Sequence, residues 1–131
     1  MLFHPLFAYP TLLLSLVTYA LYIIGSFKGS RLVKIAIYFN ALLALLALVS
    51  VLTGFGVSQV PLVQSKTPFI WGFPHKWNGI LILLIALLNL VVFWFKGENP
   101  SKKLLLLPLL GLLLSLFQLL TGWMLRLVFF S

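Results

Sequence analysis

Four long stretches of the chain carry no Asp, Glu, Lys or Arg, and they constrain the fold more than any other feature of the sequence. They cover residues 1–27, 35–65, 77–95 and 104–125. A helix that spans a bilayer needs about 20 predominantly apolar residues, and each stretch supplies enough of them for one. The sequence therefore predicts four spanning helices, near 5–26, 34–57, 74–95 and 104–128.

The composition supports the same fold class. Of the 131 residues, 63% are hydrophobic and 8% are charged, whereas soluble domains contain about 25% charged residues. A chain in lipid must satisfy its backbone polar groups internally, and no stretch shows the alternating pattern of a membrane barrel strand. We therefore expect one all-α domain over residues 1–131, an integral membrane four-helix bundle whose surroundings are the lipid bilayer.

Two features of the composition exclude whole classes of chemistry. The chain has no cysteine, and Glu98 is its single acidic residue. Disulfides, thiolate metal sites, iron–sulfur clusters and carboxylate metal cages are therefore excluded. The formal charge of +8 would suggest a nucleic-acid partner in a soluble protein. Here the basic residues flank apolar segments, where they contact anionic headgroups, so we expect no nucleic-acid partner and no independent catalytic site.

The predicted connections between the helices differ in length. The first two helices are joined over residues 25–31 and the last two over residues 96–102. In the second of these connections, Ser101 is the expected cap of the fourth helix, and Pro100 precedes it. The middle connection, about residues 58–73, is longer and contains two prolines. We expect it to lie along the membrane interface as a lid.

The distribution of basic residues predicts an orientation. Four spans place both termini and the middle connection on one side of the membrane, and this side has three basic residues. The two short connections lie on the other side, which has six basic residues. Cytoplasmic loops carry the excess of Lys and Arg, so both termini are expected on the periplasmic side of a bacterial inner membrane. The side with three holds Lys66, Lys76 and Arg126, and the side with six holds Lys28, Arg31, Lys34, Lys96, Lys102 and Lys103.

The two halves of the chain show a weak internal repeat. A histidine opens the first helix at His4 and the third at His75, each beside a phenylalanine and a proline. The second and fourth helices end in a Thr-Gly pair, at residues 53–54 and 121–122. Repeats related by an axis along the membrane normal recur in membrane proteins. Such an axis would bring both histidines and both Thr-Gly pairs to the same side.

Two histidines on facing helices suggest a haem site. Imidazole is an axial ligand of haem iron, whereas structural zinc requires four protein ligands. In this hypothesis His4 and His75 bind the iron of haem b and Arg126 pairs with a propionate. Small residues opposite the histidines would clear space for the macrocycle, and they are Gly54, Gly79 and Gly122.

A second interpretation of the same residues needs no cofactor. Small and polar stripes also serve helix packing in membranes, histidines cap helices or lie at the interface, and an arginine near a helix end reaches the headgroups. Three amides lie deeper in the predicted spans, and could bond a quinone carbonyl or link helices; linking is favoured. They are Asn40, Asn89 and Gln118.

The opening segment, His4-Pro5-Leu6-Phe7-Ala8-Tyr9-Pro10, resembles the His-Pro-x-x-x-His-Phe-Pro start of a widespread family of four-helix bacterial membrane proteins. Residues 75–79, His-Lys-Trp-Asn-Gly, look like that family's His-Arg-x-x-Gly at the third helix, and the Thr-Gly pairs are similar to its helix-end glycines. The resemblance implies haem binding. Tyr9 stands where the family has its second histidine, and the following proline, Pro10, is one residue nearer. If that second histidine is the family's ligand, this protein either uses His4 or binds no haem at the site.

Two functions are therefore expected. The first is a haem-bearing, b-type cytochrome-like subunit that transfers electrons, with quinol, in a respiratory or photosynthetic complex; its likeness to such cytochromes is at the level of the fold. The alternative is a cofactor-free accessory subunit of a larger membrane complex. A transporter has less support, because no acidic residue lies within a predicted span.

Overall fold

The computed structural model describes residues 3–96 and 102–130, and their regular structure is helical. Four long helices in this part of the chain are apolar enough to cross a membrane, which confirms the predicted all-α class with four such helices. The elements are α1 (Phe3–Lys28), α2 (Ser30–Ser58), α3 (Pro61–Lys66), α4 (Phe69–Lys96), a 3₁₀ turn (Lys102–Leu105) and α5 (Leu106–Phe130).

The boundaries differ from the prediction mainly at the third long helix. Helix α4 begins at Phe69 rather than near residue 74, so that Pro74 lies inside the helix. A proline lacks the N–H that would bond the carbonyl four residues earlier, so it is best tolerated in the first turn of a helix. The sequence pattern therefore favours a helix start at Pro74. The middle connection is correspondingly shorter and contains the six-residue α3. The predicted cap at Ser101 lies outside the described residues.

The long helices pack in a ring. Helix α1 packs on α2 and α5, and α4 packs on the same two helices. Helices α1 and α4 therefore occupy opposite corners of the ring. Many large apolar side chains on the outer faces of all four helices are exposed, and a surface of this kind is suited to a lipid bilayer.

Buried polar side chains join the helices near their middles. Tyr22 of α1 donates a hydrogen bond of 2.7 Å to Asn40 of α2, whose amide donates to the carbonyl of Ala86 in α4 at 2.9 Å. Ser15 of α1 donates to Ser115 of α5 at 2.8 Å. Hydrogen bonds between helices are a typical stabilising contact in membranes, so Asn40 has the linking role that was favoured for it.

Asn89 behaves differently from Asn40. Its amide nitrogen donates to the carbonyl of Ile85 in its own helix at 2.9 Å. This contact uses one amide proton without reaching a second helix. The side chain is fully buried, and its oxygen has no hydrogen-bond partner in the described part of the chain.

Replacing Asn40 with leucine is expected to reduce the free energy of unfolding by about 1–3 kcal/mol, since two interhelical hydrogen bonds are lost and each contributes about 0.6–1.7 kcal/mol. The measurement is a denaturation curve in mixed micelles. Tyr22→Phe provides the matched control, and the double variant should be less destabilised than the sum of the single variants. Additive effects would contradict the proposed link.

Candidate functional site

The two histidines come together at one end of the helices. His4 lies in the first turn of α1 and His75 near the start of α4, at opposite corners of the ring. Their ring centroids are 6.2 Å apart, and the ring planes are perpendicular, at 89°. The pairing expected from the sequence is thus present as a direct approach of two imidazoles.

The hydrogen bonds of His4 define its tautomer. Its Nδ1 lies 3.0 Å from the backbone carbonyl oxygen of Ser50 in α2. A carbonyl oxygen only accepts, so Nδ1 carries the proton and donates it. In the neutral imidazole the lone pair is therefore on Nε2. The hydroxyl of Thr53 lies 3.3 Å from the same Nδ1 and donates to the Ser50 carbonyl at 3.0 Å.

His75 has the same tautomer for a related reason. Its Nδ1 lies 2.8 Å from Oγ1 of Thr121 in α5. The Thr121 hydroxyl donates its own proton to the carbonyl of Gln118 at 3.2 Å, so its oxygen accepts from His75. The lone pair is again on Nε2, and the amide nitrogen of Gln118 lies 3.4 Å from it.

Glycines next to the two threonines bring the imidazoles close to the helix backbones. A Cβ atom at Gly54 would lie 3.0 Å from Cε1 of His4, and one at Gly122 would lie 3.2 Å from Cε1 of His75. At Gly79 the nearest atom to an added Cβ would be Nε2 of Gln118, at 3.1 Å. These glycines therefore make room for two imidazole rings and one amide.

Burial affects the charge of His4, which lies two residues before the apolar span Leu6–Lys28. Desolvation lowers the pKa of the imidazole below its ordinary value of 6.5, while the bond to the Ser50 carbonyl opposes this shift. A lowered pKa favours the neutral imidazole at pH 7, and the neutral form is the one that binds a metal ion.

Gln118 and Asn78 complete the surroundings of His75. The amide of Asn78 in α4 donates to Oε1 of Gln118 at 3.0 Å and to the carbonyl of Leu114 at 2.8 Å. Asn78 lies three residues after His75, which places both on one face of the helix, but nothing in the sequence pattern distinguishes it as a functional residue. The Ser50 carbonyl was missed because a backbone group leaves no signal in the sequence.

The structure places Arg126 in a different set of contacts. Its guanidinium donates to the hydroxyl of Tyr9 in α1 at 3.2 Å and lies 6.0 Å from the centre of that ring. It lines a groove of about 370 Å³ together with Tyr9, Leu119 and Trp123. Its expected pairing with a haem propionate stays a prediction.

The donor set at the histidine pair limits what it can hold. Among residues 3–96 and 102–130, no cluster of three or more His, Cys, Asp or Glu side chains occurs. Two imidazoles are too few for a structural zinc site but sufficient for the axial ligation of haem iron. Comparison of the chain with family models, with curated proteins and with solved structures finds no match.

Proposed function

We propose that this protein is a haem-bearing membrane subunit of the b-type cytochrome kind, with His4 and His75 as the axial ligands of haem b. The observation that carries the proposal is the approach of the two imidazoles to 6.2 Å between ring centroids, with both Nδ1 atoms donating to protein oxygens. A haem iron would be held by the two Nε2 atoms, because both Nδ1 protons are already donated to protein oxygens.

The outer hydrogen bonds also suit this role. A metal-binding histidine typically donates its second ring N–H to a carbonyl or another acceptor, which fixes the tautomer and raises the basicity of the ligating nitrogen. The Ser50 carbonyl does this for His4, and the Thr121 hydroxyl does it for His75. An iron ion at Nε2 of His75 would replace the contact of that atom with Gln118.

The residues around the pair would have separate tasks. Haem supplies one-electron chemistry when it is bound. Ser50 and Thr121 orient the imidazoles, while Gly54 and Gly122 let the rings lie close to the helix backbones. The apolar helices limit access of water, and burial together with axial ligation sets the reduction potential of a haem.

The similar contacts of the two histidines support a repeat of two helix pairs. His4 contacts Thr53 and approaches Gly54 across α1 and α2, and His75 contacts Thr121 and approaches Gly122 across α4 and α5. We place this end of the four-helix bundle, with both termini, on the periplasmic side of a bacterial inner membrane, because six basic residues lie near the opposite end. Quinol and a larger respiratory or photosynthetic complex are the proposed partners.

The absorbance spectrum of the purified protein tests the proposal. The protein is purified in mild detergent, both as isolated and after titration with hemin. We expect a Soret band and, after reduction, the sharp visible bands of iron with two nitrogen axial ligands. If neither preparation binds haem, the cytochrome function is excluded.

A cofactor-free accessory subunit is the second candidate function. One observation favours it: Gly54, Gly122 and Gln118 already pack against the imidazoles, so the histidines also fill space between helices. This candidate predicts copurification with a larger membrane complex that is unchanged when both histidines are replaced by alanine. Absence of any copurifying membrane protein in mild detergent would count against it.

A further inference from the structure

A groove between the first and last helices is lined by neither of the two histidines. It has a volume of about 370 Å³ and is lined by Tyr9 of α1 and by Leu119, Trp123 and Arg126 of α5. Tyr9, Trp123 and Arg126 are all exposed on the outer surface of the helices. The groove therefore opens towards the surroundings of the protein.

One end of the groove is polar and cationic. Arg126 lies two residues before the end of the apolar span Lys103–Val128, at the depth where an arginine side chain can reach the headgroups. The guanidinium donates to the Tyr9 hydroxyl at 3.2 Å. Since that oxygen accepts from Arg126, the Tyr9 hydroxyl still has its own proton to donate. Both side chains can thus offer hydrogen-bond donors to one anion.

The other end of the groove is apolar. Leu119 lies seven residues before Arg126 on α5, which corresponds to about 10 Å along a helix. Trp123 lies between them in sequence and combines an apolar ring with an N–H donor, a combination typical of the membrane interface. A ligand that matches both ends has an anionic head and an apolar chain.

We propose that this groove binds an anionic phospholipid, with the phosphate at Arg126 and Tyr9 and an acyl chain along Trp123 and Leu119. Charge complementarity selects this occupant over a zwitterionic lipid. The planar guanidinium can donate two parallel hydrogen bonds to a phosphate, and the chain has a formal charge of +8 with a single acidic residue, Glu98.

Quenching of Trp123 fluorescence by brominated lipids tests the proposal. Phenylalanine replaces the other tryptophans, so that Trp123 is the only emitter, and the protein is placed in vesicles with acyl-brominated phosphatidylglycerol or phosphatidylcholine. We expect about a fivefold preference for the anionic lipid, the ratio that corresponds to about 1 kcal/mol for one basic side chain near an anionic surface. The replaced residues are Trp71, Trp77 and Trp94.

Two charge variants distinguish the groove from the general surface. Arg126→Gln should abolish the preference, and Lys66→Gln, which removes an exposed charge from α3, should leave it intact. Equal quenching by both lipids, or equal loss in both variants, would overturn the proposal. Loss of the preference on addition of inorganic phosphate would instead assign the groove to free phosphate. Circular dichroism of each variant verifies that the helices are intact.

Discussion

The His75→Ala variant is expected to bind haem more than about 100-fold more weakly than the unmodified protein. Loss of only an outer hydrogen-bonding partner of a metal ligand typically reduces affinity about 10–100-fold, and this substitution removes the ligand itself. His4→Ala should have the same effect, because each imidazole supplies one of the two axial positions in the proposed site. Titration with hemin, followed in the Soret region, gives the dissociation constants.

Two further variants separate ligation from packing at this position. His75→Met keeps an axial ligand, so haem should remain bound with a higher reduction potential, as with Met/His ligation in cytochromes c. Gln118→Leu removes the amide that lies 3.4 Å from Nε2 of His75 and should leave haem binding intact. If His75→Ala binds haem as tightly as the unmodified protein, His75 is not the ligand.

Gly111→Ala should destabilise the protein by about 1–3 kcal/mol, the usual effect of an extra methyl group in a packed interior. A Cβ atom at Gly111 of α5 would lie 2.5 Å from Cζ of Tyr19 in α1, and Tyr19 is fully buried. The ring has no adjacent solvent to move into, so α1 and α5 must separate to accept the methyl group. Thermal unfolding in detergent measures the effect.

The chain offers a matched control for this substitution. A Cβ atom at Gly56 in α2 would meet no atom within 4 Å, so Gly56→Ala should change stability little, or stabilise by up to about 1 kcal/mol through helix propensity. Combining Gly111→Ala with Tyr19→Leu should recover part of the lost stability, because the smaller side chain leaves space for the methyl group. Equal stability of the two glycine variants would refute the steric explanation.

The membrane spans were predictable because charged residues are excluded from the apolar parts of the chain, and this exclusion can be seen directly in the sequence. The start of α4 was not predictable, since a proline such as Pro74 usually marks a helix boundary, whereas Pro74 lies inside α4 and Pro10 lies inside α1. A proline in the second turn of a helix removes one backbone hydrogen bond, but it does not end a long apolar helix.

The approach of the two histidines followed from their matched positions in the two halves, but their partners did not. Whether a given imidazole reaches a carbonyl such as that of Ser50, or an amide such as that of Gln118, depends on the rotation and depth of each helix. Those quantities are set by packing between helices and not by local sequence. The contact of Arg126 with Tyr9 was unpredictable for the same reason.

The anchoring of each imidazole within its own half of the chain has a consequence for assembly. His4 is held by α2, which directly follows α1, and His75 by α5, the next long helix after α4. Each hairpin can therefore orient its imidazole before the two hairpins meet. A ligand held by both imidazoles would join the two hairpins, and its binding free energy would add to the cohesion of the two halves.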